Sequence, residues 1–226
     1  MNTITTCPEY FILESLVNSQ PRELSQHAHR VALLSAGVAH LYGCNEEITH
    51  QIYLGCLLHD IGKQFISSTI LHKNTILTRN DVTQLQLHPE FGYRYLSHFM
   101  SNGDILNIVL YHHERWNGSG YPYGLKYDEI SLGARICAIT DVWDALTTDR
   151  CYRRAWRPMQ ACEYIWACAG YHFDRDISFL FLELIERLSS SGSIRDEGVF
   201  DTNLKPASRV RILEGVIQPA HLAIAN

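Results

Sequence analysis

Histidine and aspartate recur along this chain at a spacing that limits the folds open to it. Ten of the twelve histidines lie between positions 27 and 113. The residues that recur about one helix and its connection apart are His27, His59-Asp60, His88, His112-His113 and Asp141. Successive helices of a bundle can each bring such a residue into a shared core, as in carboxylate-bridged dimetal proteins. Imidazole and carboxylate are suitable ligands for iron, manganese or zinc, so the spacing makes this core a candidate metal site.

Helix signals run through most of the chain. Pro21 suits the first turn of a helix, Asn45 is a good N-cap, and Thr78 with Asp81 resembles a capping box. Pro89 is expected to bend or interrupt the helix in which it lies. Helices are expected over residues 8–18, 21–42, 46–59, 78–99, 104–114, 131–146, 158–169 and 176–188. The chain is therefore predicted to be all-α, a helical bundle with a metal site in its core.

Length and composition bound the organisation of the chain. Its 226 residues suit one domain, with an N-terminal helix over 1–20, a main domain over 21–188 and a small non-helical extension over 189–226. That extension contains one short β-like run, residues 210–217. The net charge of −5 disfavours binding to a nucleic-acid polymer. No membrane span or secretory signal is visible, and seven cysteines without a C-x-x-C pair favour reduced thiols in the cytoplasm.

Two motifs carry a family resemblance. Residues 58–63, Leu-His-Asp-Ile-Gly-Lys, look like the signature of the HD metal-dependent phosphohydrolases. Residues 112–122, which begin His-His-Glu and end Gly-Tyr-Pro, resemble the HHE…GYP segment of the HD-GYP subfamily. Segments around His27, His88 and Asp141 fit the same pattern in order, so the similarity extends from about Glu23 to Asp174.

The resemblance implies a phosphodiesterase that hydrolyses cyclic di-GMP to linear pGpG and, in many members, on to GMP. The positions that match the family's metal ligands are His27, His59, Asp60, His88, His112, His113 and Asp141. Asp60 matches the bridging aspartate, and members have been associated with iron or manganese. Two divalent ions are implied. Some members hold a third metal with a glutamate at the position of Glu23, which could equally be an ordinary acid at a helix start.

The resemblance also suggests roles around the metals. A metal-bridging hydroxide is expected to attack phosphorus in line, since metal coordination makes water reactive at neutral pH. Lys63 resembles the lysine that contacts the scissile phosphate, and Arg150 and Arg153 match phosphate or guanine contacts. Tyr121 is expected to line the pocket. Asp144 could orient a ligand histidine from behind.

Two other functions stay open at this point. One is a receptor or adaptor that binds a cyclic dinucleotide without hydrolysing it, and the intact set of ligand positions argues against that. The other is a phosphodiesterase for a different nucleotide, such as a cyclic GMP-AMP. The GYP loop of relatives has been linked to diguanylate cyclase domains, so a signalling partner could bind there. The histidines expected to be incidental are His29, His40, His50, His72, His98, His172 and His221.

The chain departs from the family pattern at two positions near the expected pocket. Asn117 stands where many relatives carry aspartate, and Cys151 stands where proline is usual. Neither position is a metal ligand. We therefore expect altered loop geometry at Asn117 and a less rigid segment around Arg150, with the metal site unchanged.

Overall fold

The computed structural model describes residues 15–149 and 153–191. Within those ranges it contains nine complete α-helices, further helical residues at 15–18, two 3-10 helices and isolated bridges in place of strands, so the all-α prediction is confirmed there. The α-helices are α1 (Arg22–Tyr42), α2 (Glu46–Leu58), α3 (Ser68–Leu71), α4 (Arg79–Leu85), α5 (His88–Leu96), α6 (Gly103–Tyr111), α7 (Leu132–Thr147), α8 (Pro158–Ala167) and α9 (Arg175–Ser190). The 3-10 helices span Ile61–Phe65 and Tyr127–Glu129. Most of the N-terminal helix expected over 8–18, and the β-like run at 210–217, lie outside the described residues.

Local capping sets the ends of these helices. Gly43 closes α1 with a φ of 93°, a left-handed conformation that glycine adopts without strain. The Asn45 side chain accepts a hydrogen bond from the backbone N–H of Ile48, and Thr78 and Asp81 form the expected capping box. Pro89 occupies the first turn of α5, where no N–H is needed. The helix expected over 78–99 is therefore two helices, α4 and α5.

The helices pack so that several of their ends meet in the interior. Helix α1 packs against α2, α7 and α9, while α2 packs against α6. Helix α5 packs against α6 and against the 3-10 helix Ile61–Phe65. Trp143, Phe181 and Leu34 are among the large side chains buried where α7, α9 and α1 meet. Across the described ranges, every helix is too short or too polar to cross a membrane.

Candidate metal centre

Five elements bring the predicted ligands to one place. His27 lies on α1 and Asp141 on α7, both within their helices. The other positions are at helix ends: His59 is the C-cap of α2, with Asp60 next to it, and His88 is the first residue of α5. His112 is the C-cap of α6, and His113 follows it. Since the chain changes direction at these ends, adjacent residues such as His59 and Asp60 can face the same site.

Asp60 lies between two groups of side chains. Its Oδ2 is 3.7 Å from His27 Nε2 and 3.4 Å from His59 Nε2. Its Oδ1 is 3.3 Å from His88 Nε2 and 3.9 Å from His112 Nε2. Each carboxylate oxygen therefore faces a different pair of histidines, the arrangement that a carboxylate needs to bridge two cations.

The two groups differ in composition. We call His27, His59 and Asp141 the acidic half, because Asp141 Oδ1 lies 3.2 Å from His27 Nε2 and 3.9 Å from His59 Nε2. We call His88, His112 and His113 the histidine half. Asp60 belongs to both. Candidate ligand atoms in the group formed by Asp60 and the histidine half all lie within 4.8 Å of one another, as do those of His27, His59 and Asp60.

Backbone carbonyls orient three of the histidines. His59 Nδ1 is 2.6 Å from the carbonyl oxygen of Cys56, and His88 Nδ1 is 2.6 Å from that of Leu85. His112 Nδ1 is 2.9 Å from the carbonyl oxygen of Val109. A carbonyl accepts only, so each Nδ1 carries the proton, and each Nε2 presents a lone pair to the site. This is the tautomer of an imidazole that coordinates a metal through Nε2.

The site contains buried polar atoms that a cation would satisfy. Among the described residues, neither His59 Nε2 nor Asp60 Oδ1 has a hydrogen-bond partner, although both are buried. His88 Nε2 and His112 Nε2 lie 3.2 Å apart, and their tautomers direct two lone pairs toward each other. Unpaired buried acceptors are costly, and coordination to a divalent ion removes that cost. The donor set thus fits the metal site of an HD domain.

Burial and neighbouring carboxylates shift the pKa values of His27, His112 and His113, and not all in the same direction. Burial would lower the pKa of His27, but hydrogen bonds to Asp141 and Asp144 outweigh it and raise that pKa to about 9. Burial lowers the pKa of His113 to about 3 and holds the pKa of His112 well below its usual range. His112 and His113 are therefore neutral at pH 7. In the acidic half, the field that holds a proton on His27 would also attract a metal ion, which displaces that proton on binding.

Asp144 supports the acidic half from behind. Its Oδ2 lies 2.7 Å from His27 Nδ1, and both of its oxygens accept hydrogen bonds from the Arg30 guanidinium, at 2.5 and 2.8 Å. All three side chains are largely buried. Asp144 therefore fixes the ring of His27 and directs its Nε2 toward Asp60. The sequence suggested Asp144 but not Arg30, which stands in α1 three residues after His27 and so shares its helix face.

Lys63, Tyr121 and Glu23 lie around a cavity of about 830 Å³ beside the centre. Lys63 Nζ is 2.5 Å from Asp60 Oδ2, and it shares a face with Asp60 because three residues make one turn of a 3-10 helix. The Tyr121 ring stacks on the ring of His113 with centroids 4.8 Å apart. Glu23 is exposed in the first turn of α1.

Of the two arginines expected to bind substrate, Arg153 is among the described residues and Arg150 is not. The Arg153 guanidinium donates hydrogen bonds to the carbonyl oxygens of Ala145 and Leu146, near the C-terminus of α7, and lies over the Trp156 ring. Arg153 thus caps a helix end, a contact between residues seven and eight positions apart that no local sequence signal indicates. Arg150 and Cys151 lie outside the described residues.

Glu114 and Asn117 shape the loop that carries Tyr121. Buried Glu114 accepts hydrogen bonds from the backbone N–H groups of Tyr123, Gly124 and Leu125, at 2.7 to 3.1 Å. This glutamate belongs to the His-His-Glu motif, and the motif alone did not indicate that it orders the loop. The Asn117 side-chain oxygen accepts hydrogen bonds from the N–H and hydroxyl of Ser119. An amide oxygen can make both of these bonds, so asparagine is compatible with the turn.

Comparison with known proteins agrees with this site. A sequence model described as HD domain matches residues 12–177. The chain is 38% identical over 175 residues to the 3′3′-cGAMP-specific phosphodiesterase 2 of Vibrio cholerae, covering 76% of this chain and 33% of that protein. It is 36% identical over 182 residues to the cyclic di-GMP phosphodiesterase of Thermotoga maritima, covering 79% and 49% respectively. The chain therefore spans about a third to a half of the length of these curated relatives.

Solved structures share the fold. An HDG"Y"P protein from Bdellovibrio bacteriovorus superposes with a TM-score of 0.56 at 21% identity, over 71% of this chain and 51% of that one. A cyclic GMP-AMP specific phosphodiesterase of Vibrio cholerae gives a TM-score of 0.60 at 17% identity, over 91% and 51%. The family match covers most of the chain, and the motifs are those of the HD-GYP type. This chain therefore belongs to the HD domain family, as its sequence motifs indicated.

Proposed function

We propose that this chain is a metal-dependent phosphodiesterase that hydrolyses cyclic di-GMP to linear pGpG and on to GMP. The observation that carries the proposal is the position of Asp60, whose two oxygens face two separate pairs of histidines. A site of this kind suits two divalent ions, for which iron and manganese are our candidates. The activities for which these relatives are named, on 3′3′-cGAMP and on cyclic di-GMP, support a cyclic dinucleotide as the substrate.

Some residues of the site are assigned to metal binding and others to substrate binding. Asp60, Asp141 and the histidines of both halves would hold the ions, which would supply the Lewis-acid chemistry that makes water reactive at neutral pH. Lys63 donates a hydrogen bond to Asp60 and borders the cavity, so we assign it to an oxygen of the scissile phosphate. Its ammonium group offsets negative charge that grows on the phosphate and on the leaving 3′ oxygen.

Tyr121 and Asp144 act on the two sides of the centre. Tyr121 stacks on His113 and borders the cavity, so it limits the rotation of that ring and excludes water from one side of it. Asp144 keeps the proton of His27 on Nδ1 and leaves Nε2 for a metal. Arg150 we assign to the substrate by its family position alone.

The decisive assay uses anaerobically purified protein loaded with ferrous iron or with manganese. The protein is incubated with cyclic di-GMP, and the products are separated by chromatography. Linear pGpG or GMP is the expected product, and Asp104→Ala, which changes an exposed aspartate on α6, serves as a control with unchanged turnover. Binding of cyclic di-GMP without product under either metal would instead indicate a receptor.

A second substrate has one observation in its favour. The relative that is 38% identical is named as specific for 3′3′-cGAMP, and its identity is similar to that of the cyclic di-GMP enzymes. Competition between the two dinucleotides at equal concentration gives the ratio of their kcat/KM values. A ratio in favour of cyclic di-GMP is expected, and the reverse ratio would reassign the substrate.

A further inference from the structure

The cavity beside the metal centre has a wall that the proposed function does not yet use. Four of its lining residues, His88, His113, Lys63 and Tyr121, belong to the centre. Residues 70–77, which include the end of α3 and the connection to α4, also line it. A volume of about 830 Å³ lies within the range of small-molecule sites. A ligand bound at the metals would therefore also contact this segment.

A cyclic dinucleotide needs positively charged partners beyond those at the metal centre. Such a molecule carries two phosphodiester groups, each with one negative charge, and hydrolysis acts on one at a time. Two lysines line the cavity, Lys63 and Lys73. Lys63 Nζ is engaged with Asp60 at the metal centre, whereas Lys73 belongs to the segment 70–77. Lys73 is thus the lysine on the wall that would face the rest of the ligand.

Asp81 holds Lys73 in position. Lys73 Nζ donates a hydrogen bond to Asp81 Oδ2, and the same oxygen accepts one from the backbone N–H of Thr78 at 2.8 Å. The Lys73 hydrogen bond, followed by those from Thr78, lowers the pKa of Asp81 to about 2. The carboxylate is therefore ionised and fixed by its capping box. An ammonium group has three N–H donors, so Lys73 keeps donors for a ligand while its position is restrained.

We propose that Lys73 binds the second, non-reacting phosphate of the cyclic dinucleotide and that Asp81 is its positioning residue. This inference rests on the proposed function. A partly exposed lysine beside a carboxylate could otherwise be a plain surface ion pair, which contributes little. The distinguishing feature is that Lys73 lines the cavity of the metal centre, whereas the ion pairs of Arg94 and Arg187 lie on the surfaces of α5 and α9.

The test measures binding of a slowly hydrolysed phosphorothioate analogue of cyclic di-GMP to the metal-loaded full chain by titration calorimetry. Lys73→Met keeps the aliphatic stem and removes the charge, so Kd should rise about tenfold, the usual effect of one charge-assisted contact. Lys73→Arg should restore most of the affinity, and Arg187→Met, the matched loss of a surface cation, should leave Kd unchanged. Equal thermal midpoints and equal metal content would exclude a change in folding or loading.

A small substrate separates this role from a general effect on the site. Bis(p-nitrophenyl) phosphate has a single phosphate, so Lys73→Met should leave its KM and kcat unchanged. Asp81→Asn should raise the Kd of the dinucleotide analogue by less than Lys73→Met does. The proposal is overturned if Lys73→Met leaves that Kd unchanged, or if the KM of the small substrate rises by the same factor.

The wild-type chain distinguishes failure of this inference from failure of the proposed function. If the wild type binds the analogue but does not hydrolyse cyclic di-GMP, the proposed function fails, while the Kd values still decide the role of Lys73. If it hydrolyses cyclic di-GMP and Lys73→Met changes nothing, the inference alone fails. If the wild type does not bind the analogue, both fail.

Discussion

The two halves of the candidate metal centre use the same side chain in opposite electrostatic surroundings. In the acidic half, Asp141 and Asp144 lie against His27 and raise its pKa to about 9. In the histidine half, burial among other imidazoles lowers the pKa of His113 to about 3. Residue type alone therefore does not determine whether a histidine is protonated. Hydrogen bonds to carboxylates outweigh the effect of burial at His27, whereas burial dominates at His113.

The difference also bears on what each half would bind. The acidic half offers two carboxylate ligands and two imidazoles, whereas the histidine half offers three imidazoles and one oxygen of Asp60. More negative charge and more oxygen ligands favour a harder cation. We therefore expect the two halves to differ in affinity, with the acidic half holding its metal more tightly. The following changes test that expectation.

Removal of the carboxylate shared by both halves should have the largest effect. Asp60→Ala deletes an oxygen ligand from each half, so both ions should be lost and turnover should fall about 10³-fold or more. Metal content by mass spectrometry and product formation are the measurements. Circular dichroism should show the helical fold retained. One ion still bound per chain in the variant would show that the halves bind independently of Asp60.

A substitution at Gly62 should disturb the histidine half through the backbone. A Cβ at Gly62 would lie 1.9 Å from the backbone oxygen of His88 and 2.5 Å from Gly92 N, so the 3-10 helix and α5 must move apart. Gly62→Ala should lower the free energy of unfolding by about 3 kcal/mol, as overpacking does. Urea denaturation measures it. Gly103→Ala is the control, because a Cβ there meets nothing within 4 Å; equal effects of the two would contradict the argument.

A substitution at Asp144, which contacts the acidic half, should lower the affinity for one metal ion and leave the affinity for the other unchanged. Asp144→Asn keeps the shape of the side chain but removes the charge that orients His27 and pairs with Arg30. Loss of such a supporting group typically costs about 10- to 100-fold in metal affinity. Competition with a coloured chelator should show one weakened site per chain. Equal weakening of both sites would mean that the halves are not separable.

The stability of the chelator-treated protein should depend on pH through both halves, in opposite directions. The raised pKa of His27 adds stability that is fully present below pH 6.5 and is lost as pH rises toward about 9. The lowered pKa of His113 adds stability that is present above pH 6.5 and is lost as pH falls toward about 3. Each contribution changes by about 1 kcal/mol per pH unit.

Urea midpoints at pH 5.5, 7 and 8.5 measure this dependence. His27→Gln should remove the loss of stability on the alkaline side, and His113→Gln should remove part of the loss on the acid side. If the urea midpoints of both variants change with pH as those of the wild type do, other groups control the pH dependence.

Much of the helical framework could be predicted because its signals are local. Pro21, Asn45 and the Thr78–Asp81 box each act within one turn of chain, so their effects follow from neighbouring residues. The alignment of Lys63 with Asp60 does not follow from the helix expected over 46–59, because both residues lie after its end. The helix ends at Leu58, and a 3-10 helix produces the same alignment through its three-residue turn.

The sequence by itself determined the donor set: seven histidine and aspartate positions, spaced so that different helices carry them. It also indicated the family, since the motifs are contiguous in the chain. Tertiary structure decided which oxygen of Asp60 faces which histidines, which ring has its pKa raised by nearby carboxylates, and that the Arg153 guanidinium caps α7. These depend on distances between residues far apart in sequence, where a change of a few ångströms alters an electrostatic energy more than any local preference does.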